Sequence, residues 1–147
     1  MRKGFNLKSK MKNKITLSII LALTLNSGLA LADDDQPLFV TITSDCCYSC
    51  KKLKPVLEEL QTEYDGQITF VTLYVSSREQ IEESKQKADE YGISEYFNSN
   101  KGVVPKVAIL CPGTNKTDKE FVGEIRKEVY KQALDELLLD TSRICSL

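Results

Sequence analysis

Histidine is absent from this chain of 147 residues. That gap removes histidine general bases, Cys–His hydrolytic dyads and histidine-containing zinc or haem sites. Methionine occurs only at Met1 and Met11, so a soft-metal site further along the chain has only cysteine to draw on. A second C-x-x-C is also missing, and a structural zinc site needs four ligands, usually from two such pairs. Internal repeats and low-complexity segments are lacking as well. No metal and no cofactor is expected, and the chemistry must rest on the chain's own cysteines.

The N-terminus has its own character. Residues 1–14 carry six cations (Arg2, Lys3, Lys8, Lys10, Lys12, Lys14) and no acid. The apolar run ITLSIILALTL follows, and then Ala30-Leu31-Ala32. Basic, apolar and small-x-small in that order describe a secretory signal peptide. Its apolar core is shorter than the roughly 20 residues of a bilayer span, so cleavage after Ala32 is expected over retention as an anchor. Met11 is the more ordinary start for such a leader. The expected organisation is a leader over residues 1–32 and a single domain over 33–147, exported to the periplasm or an equivalent compartment.

Past Ala32 the chain has 14 cations and 21 acids, a net charge of −7. Excess acid opposes binding to nucleic acid or to anionic membrane surfaces. A soluble monomer is expected, with no stable membrane association after cleavage. All five cysteines (Cys46, Cys47, Cys50, Cys111, Cys145) fall in this part. Export would put them where disulfides persist. An odd number leaves one thiol without an intramolecular partner.

Periodicity gives the element order β-α-β-α-β-β-α. Residues 38–43 (LFVTIT) and 68–75 (ITFVTLYV) read as buried strands. Between them, residues 48–64 carry helical apolar spacing at Leu53, Val56, Leu57, Leu60 and Tyr64, with Pro55 inside. Ser44 and Asp45 are candidates for that helix's start. Ser76-Ser77 offers an N-cap for a polar helix over 78–91, with Glu79 in its first turn, ended by Gly92. Residues 93–102 read as a loop or short helix with exposed-looking Tyr96 and Phe97. Strands over 103–110 and 119–122 form a hairpin through the Asn115 turn, and a last helix covers 124–139. The alternating first half predicts parallel pairing of the first two strands.

Cys47-Tyr48-Ser49-Cys50 falls directly after a strand and opens a helix. One helical turn brings the two sulfurs within disulfide reach. The free N–H groups at the helix start favour thiolate over thiol at Cys47. Such cysteines titrate at roughly 3.5 to 7.5 instead of about 8.5. Lys51 and Lys52 add positive charge nearby, and Asp45 subtracts some.

Four features in order resemble the thioredoxin-like superfamily. They are the strand–CxxC–helix junction at Cys47 and Cys50, Pro55 five residues later, Val104-Pro105 leading a strand, and Gly123 before the last helix. The resemblance covers nearly all of the chain after Ala32. It implies an α/β thioredoxin-like βαβαββα fold, with a central mixed four-stranded sheet flanked by helices. It also implies a dithiol–disulfide oxidoreductase acting on protein thiols and disulfides and recharged by an unidentified redox partner. Cys47 would be the nucleophile and Cys50 the resolving thiol. Tyr48, Val104 and a cis-Pro105 would line the substrate site. In such a topology the third strand and the last helix run the same way. Cys111 and Cys145 follow their ends, so a structural disulfide between them is expected across 34 residues of sequence.

Departures from the family pattern are equally visible. Cys46 stands where thioredoxins have tryptophan. Thr41 stands in the place of their buried aspartate, and Thr72 where a partnering lysine is common. The runner-up function is therefore a thioredoxin-like binding or chaperone module, or a Cu(I)-handling one using Cys46, Cys47 and Cys50. Cys46 either pairs alternatively with Cys50 or fills a gap in the core. Tyr96 and Phe97 either frame a substrate groove or anchor their loop.

Overall fold

Six consecutive buried residues, LFVTIT, form β1 (Leu38–Thr43) in the middle of the sheet. A run without polar alternation suits a strand covered on both faces. The computed structural model describes residues 36–140. The expected leader, its cleavage point at Ala32, and Cys145 lie outside the described residues.

β1 pairs in parallel with β2 (Thr69–Tyr74) on one side. On its other side it pairs antiparallel with β3 (Lys106–Leu110). β3 continues antiparallel into β4 (Thr117–Val122), which completes the order β2-β1-β3-β4. The sheet is therefore mixed, with the parallel first pair and the hairpin that the sequence pattern implies. Side chains alternate across β1. Phe39, with Val107 and Ile109 of β3, packs on Leu53 and Leu60 of α1 (Tyr48–Glu63) and Tyr130 and Leu134 of α4 (Lys127–Leu139). Leu38, Val40 and Ile42 face the other way, toward Ala88 of α2 (Arg78–Glu90) and Phe97 of α3 (Ser94–Asn100).

Three local expectations change. Residues 94–100 form α3, and Tyr96 and Phe97 are buried at 5% and 0% exposure. They are core anchors and do not frame a groove. β3 begins at Lys106 and not at residue 103, because Pro105 has no amide with which to join the ladder. α4 begins at Lys127 and not at residue 124. Here the Glu124 carboxylate accepts the backbone amides of Ile125 and Arg126 and the Arg126 guanidinium, which ties these residues into a turn.

The fold also requires one glycine. Gly92 follows α2 with φ of +66°, and a Cβ built there would stand 2.7 Å from the Cα of Gly113. The two segments are pinned at that point by the Gly113 amide donating to the Tyr91 carbonyl at 3.2 Å. Backbone cannot yield as a flexible side chain can. Gly92→Ala is expected to cost about 1–3 kcal/mol, from left-handed backbone strain plus the displaced turn. Urea unfolding of the variant beside wild type measures it.

Candidate active site

Helix α1 starts at the end of β1, and the link between them sets the site. The Cys47 amide donates to the Ser44 carbonyl at 3.2 Å. Cys47 is then the N-cap, with extended backbone, and its sulfur accepts the Cys50 amide at 3.3 Å. Ser44 and Asp45 precede the cap and do not serve as it. A sulfur in this position satisfies one of the N–H groups that every helix start leaves open.

The two sulfurs differ in the way an exchange reaction needs. Cys47 is partly exposed and Cys50 is buried at 4%. The Cys47 thiol is lowered, chiefly by the hydrogen bond from the Cys50 side chain and further by the backbone amides of Cys50 and Ser49. Burial pushes the Cys50 thiol up, and the bond to Cys47 pushes the same way. One group is poised to ionise and its neighbour is held protonated, so the pair shares a proton unequally.

The Val104–Pro105 peptide bond is cis. The loop holding it lies against the dithiol, with Cys47 Sγ 3.9 Å from the Val104 carbonyl oxygen. That loop is braced from behind. Lys106, directly after it, is buried, and its ammonium reaches Glu120 at 3.0 Å and the side chain of Asn100. The Val103 amide donates to the Asn100 carbonyl. Tyr48, 71% exposed, stands on the rim beside Cys47, with the Lys52 ammonium 4.7 Å from its ring centroid. Cys47, Cys50, Val104, Pro105 and Tyr48 thus come together at one end of the sheet.

Cys46 is exposed and fills no gap in the core. It is excluded from the interior because Cys47 already occupies the cap and the chain has not yet turned into α1. Among the described residues, no three Cys, Asp or Glu side chains are arranged to hold a metal ion. Cys111 is buried and disulfide-bonded at the opposite end of β3, while its expected partner, Cys145, lies outside the described residues.

Sequence reasoning missed Thr43. It shares the face of Thr41 on β1, toward α1, and lines a cleft of about 460 Å³ with Cys50, Ser44, Lys51, Lys54 and Thr72. Its side chain hydrogen-bonds Cys50 and acts against burial, drawing that thiol down. The signal was available, because period-2 alternation from Thr41 places residue 43 on the same face, one step nearer the motif. Thr72 also opens on the cleft and is the register partner of Thr41.

A dithiol at a helix start, one sulfur partly exposed and capping the helix and the other buried one turn behind, with a cis-proline loop against it, defines the class of protein dithiol–disulfide oxidoreductases. The sequence model of the thioredoxin family matches residues 26–136, so the chain belongs to the thioredoxin family. It is 28% identical over 106 residues to thioredoxin 1 of Nostoc sp., covering 72% of this chain and 84% of that one. It is 26% identical over 111 residues to a thioredoxin of Chlorobaculum thiosulfatiphilum, covering 76% and 88%. Among solved structures, oxidised thioredoxin O2 of Arabidopsis thaliana superposes with a TM-score of 0.49 at 18% identity, covering 71% of this chain and 77% of that one.

Thr43→Val removes the hydroxyl and keeps the shape. Without that hydrogen bond, burial raises Cys50 further, so less of it ionises near neutral pH. The expected result is a resolving step slowed about two- to tenfold at pH 7, where one pKa unit is a tenfold change in thiolate. The second step should slow more than the first, and the deficit should shrink as pH rises. Stopped-flow measurement of mixed-disulfide lifetime against pH checks it.

Proposed function

We propose that this protein exchanges disulfides with protein substrates outside the cytoplasm. The observation that carries the chemistry is the bond from the Cys50 amide to Cys47 Sγ at the start of α1. It holds a nucleophilic sulfur at the surface with its partner one turn behind. In the reducing direction the Cys47 thiolate attacks one sulfur of a substrate disulfide, and the other substrate sulfur leaves as a thiolate. Cys50 then gives up its proton and attacks Cys47. The remaining substrate thiolate departs, and the Cys47–Cys50 disulfide has taken the two-electron oxidation from the substrate. In the oxidising direction the same steps run in reverse. A separate redox partner restores the starting state. The Val104 backbone and Tyr48 flank the attacking sulfur and receive an extended substrate segment.

The variants separate enzyme from binding module. Cys47→Ser is expected to abolish reduction of a protein disulfide, a loss of several orders of magnitude. Cys50→Ser is expected to accumulate mixed disulfides that run as larger species on a non-reducing gel. If both variants match wild type, the dithiol has no turnover and the protein binds without reacting.

Export rests on the basic–apolar–small leader, and it supports a structural disulfide between Cys111 and Cys145. The mature protein is expected in the extracytoplasmic fraction with Asp33 as its first residue. Non-reducing peptide mapping is expected to recover a linked 111–145 pair, and N-terminal sequencing of the same material checks the cleavage.

A further inference from the structure

The rim of the dithiol carries a concentration of positive charge on an otherwise acidic molecule. Lys51, Lys52 and Lys54 are all exposed on the first turns of α1. None of the three has an ion-pair partner among the described residues. Elsewhere Lys85, Lys106, Lys119, Arg126, Lys127 and Lys131 each sit on a carboxylate. Arg78, Lys87, Lys101 and Lys116 also lack an ion pair among the described residues, but they stand apart along the chain, whereas Lys51, Lys52 and Lys54 lie within one helical turn. The acids nearest the rim offset it only in part. The Asp45 carboxylate, which accepts the Gln80 side-chain amide at 3.1 Å and is also attracted by Lys51 and Lys54, sets one negative charge against three positive ones. Glu58 lies one turn beyond Lys54, at the end of the cleft away from the sulfurs.

The placement is functional in outline. Lys51 and Lys54 line the cleft that reaches Cys50, and Lys52 lies over the exposed ring of Tyr48. A chain laid across Cys47 and the adjoining Tyr48 meets the Lys52 ammonium over that ring, and Lys51 and Lys54 border Cys50 one turn behind. Leaving three cations unpaired serves no purpose in holding the fold, since exposed charges add little stability even when paired. Screening confines their influence to roughly 8–10 Å at ordinary ionic strength. A docking segment therefore responds to the local patch and not to the net charge of −7 after Ala32.

We propose that Lys51, Lys52 and Lys54 form a docking rim that selects substrate segments carrying acidic side chains beside the target cysteine. This deepens the oxidoreductase reading and rests on it. The patch supplies contact energy and encounter rate, while Cys47 supplies the chemistry. Acidic segments gain on both counts, and basic segments lose on both.

The test uses two synthetic peptides, each closed by one disulfide and identical except for Glu or Lys beside the cysteines. The uncharged hydroxyethyl disulfide serves as a third substrate. Reduced wild-type protein should react faster with the Glu peptide, by about tenfold, at about 0.1 M ionic strength, where the Debye length of about 10 Å still isolates the local patch from the net charge. The preference should fade between about 0.1 M and 1 M, as the Debye length falls from about 10 Å to about 3 Å. The combined variant Lys51→Gln, Lys52→Gln, Lys54→Gln should bring the two peptides to within about twofold, whereas Lys116→Gln, on the hairpin at the far end of the sheet, should keep the preference. Using the ratio of the two peptides cancels any change in the reactivity of Cys47 itself. Turnover of hydroxyethyl disulfide with equal rates on both peptides overturns the docking rim and leaves the oxidoreductase standing. Failure of wild type to react with hydroxyethyl disulfide overturns both.

Discussion

The site depends on one hydrogen bond, from the Cys50 amide to the sulfur of Cys47. A helix start must satisfy its free N–H groups, and side-chain oxygens usually do so. Here a sulfur takes that place. The same contact fixes the sulfur's position, favours its anion and sets the partner cysteine one turn further in. Backbone geometry thereby divides the labour between two chemically identical residues. Cys47 faces solvent with amide dipoles behind it, and Cys50 faces the interior, where burial keeps it protonated until it is needed.

The sheet supplies the second constraint. β1 ends at the dithiol, and β3, running antiparallel beside it, begins there. This arrangement alone carries Val104 and Pro105 to Cys47 across 57 residues of sequence. Two independent anchors then keep the loop in place. Lys106 is buried on the α3 side of the sheet, paired with Glu120 and Asn100. Val107, its neighbour, points the opposite way into the core against α1 and α4. A buried ammonium is tolerated only with such partners, so the residue after the proline is locked in position by its own charge. A substrate arriving at Cys47 meets a fixed edge.

Much of this was legible in the chain. The junction of LFVTIT with Cys47 and Cys50 announced a strand feeding a reactive helix start, because period and motif agree there. Gly123 marked the end of β4, whereas the strand expected over 103–110 starts only after Pro105. Other features were illegible for definite reasons. Tyr96 and Phe97 sit among Ser, Asn and Glu, so local composition suggested exposure. Their burial is decided by α3 packing on β1 and β3, a contact that only the tertiary fold creates. The start of α4 depends on the Glu124 side chain folding back on its own backbone, which periodicity does not register. Cys46 looked like core filler by residue type, but the cap geometry of its neighbour leaves it outside.

The threonines of β1 and β2 show what the departures from the family pattern accomplish. Thr41, in the place of a buried aspartate, is the register partner of Thr72, in the place of a lysine. Losing both charges together avoids leaving either one buried without its partner, which would be severely destabilising. The space behind Cys50 is instead a polar cleft open to water, reached through Thr43 and Thr72. A hydroxyl cannot accept and hold a proton at neutral pH as a carboxylate can. It can only steady the developing thiolate while solvent carries the proton away. The second step of exchange is thus coupled to the solvent, through a cleft whose walls include Lys51 and Lys54. A substrate that covers those lysines also covers the path by which the Cys50 proton leaves, so binding and resolution compete for the same few ångströms of surface.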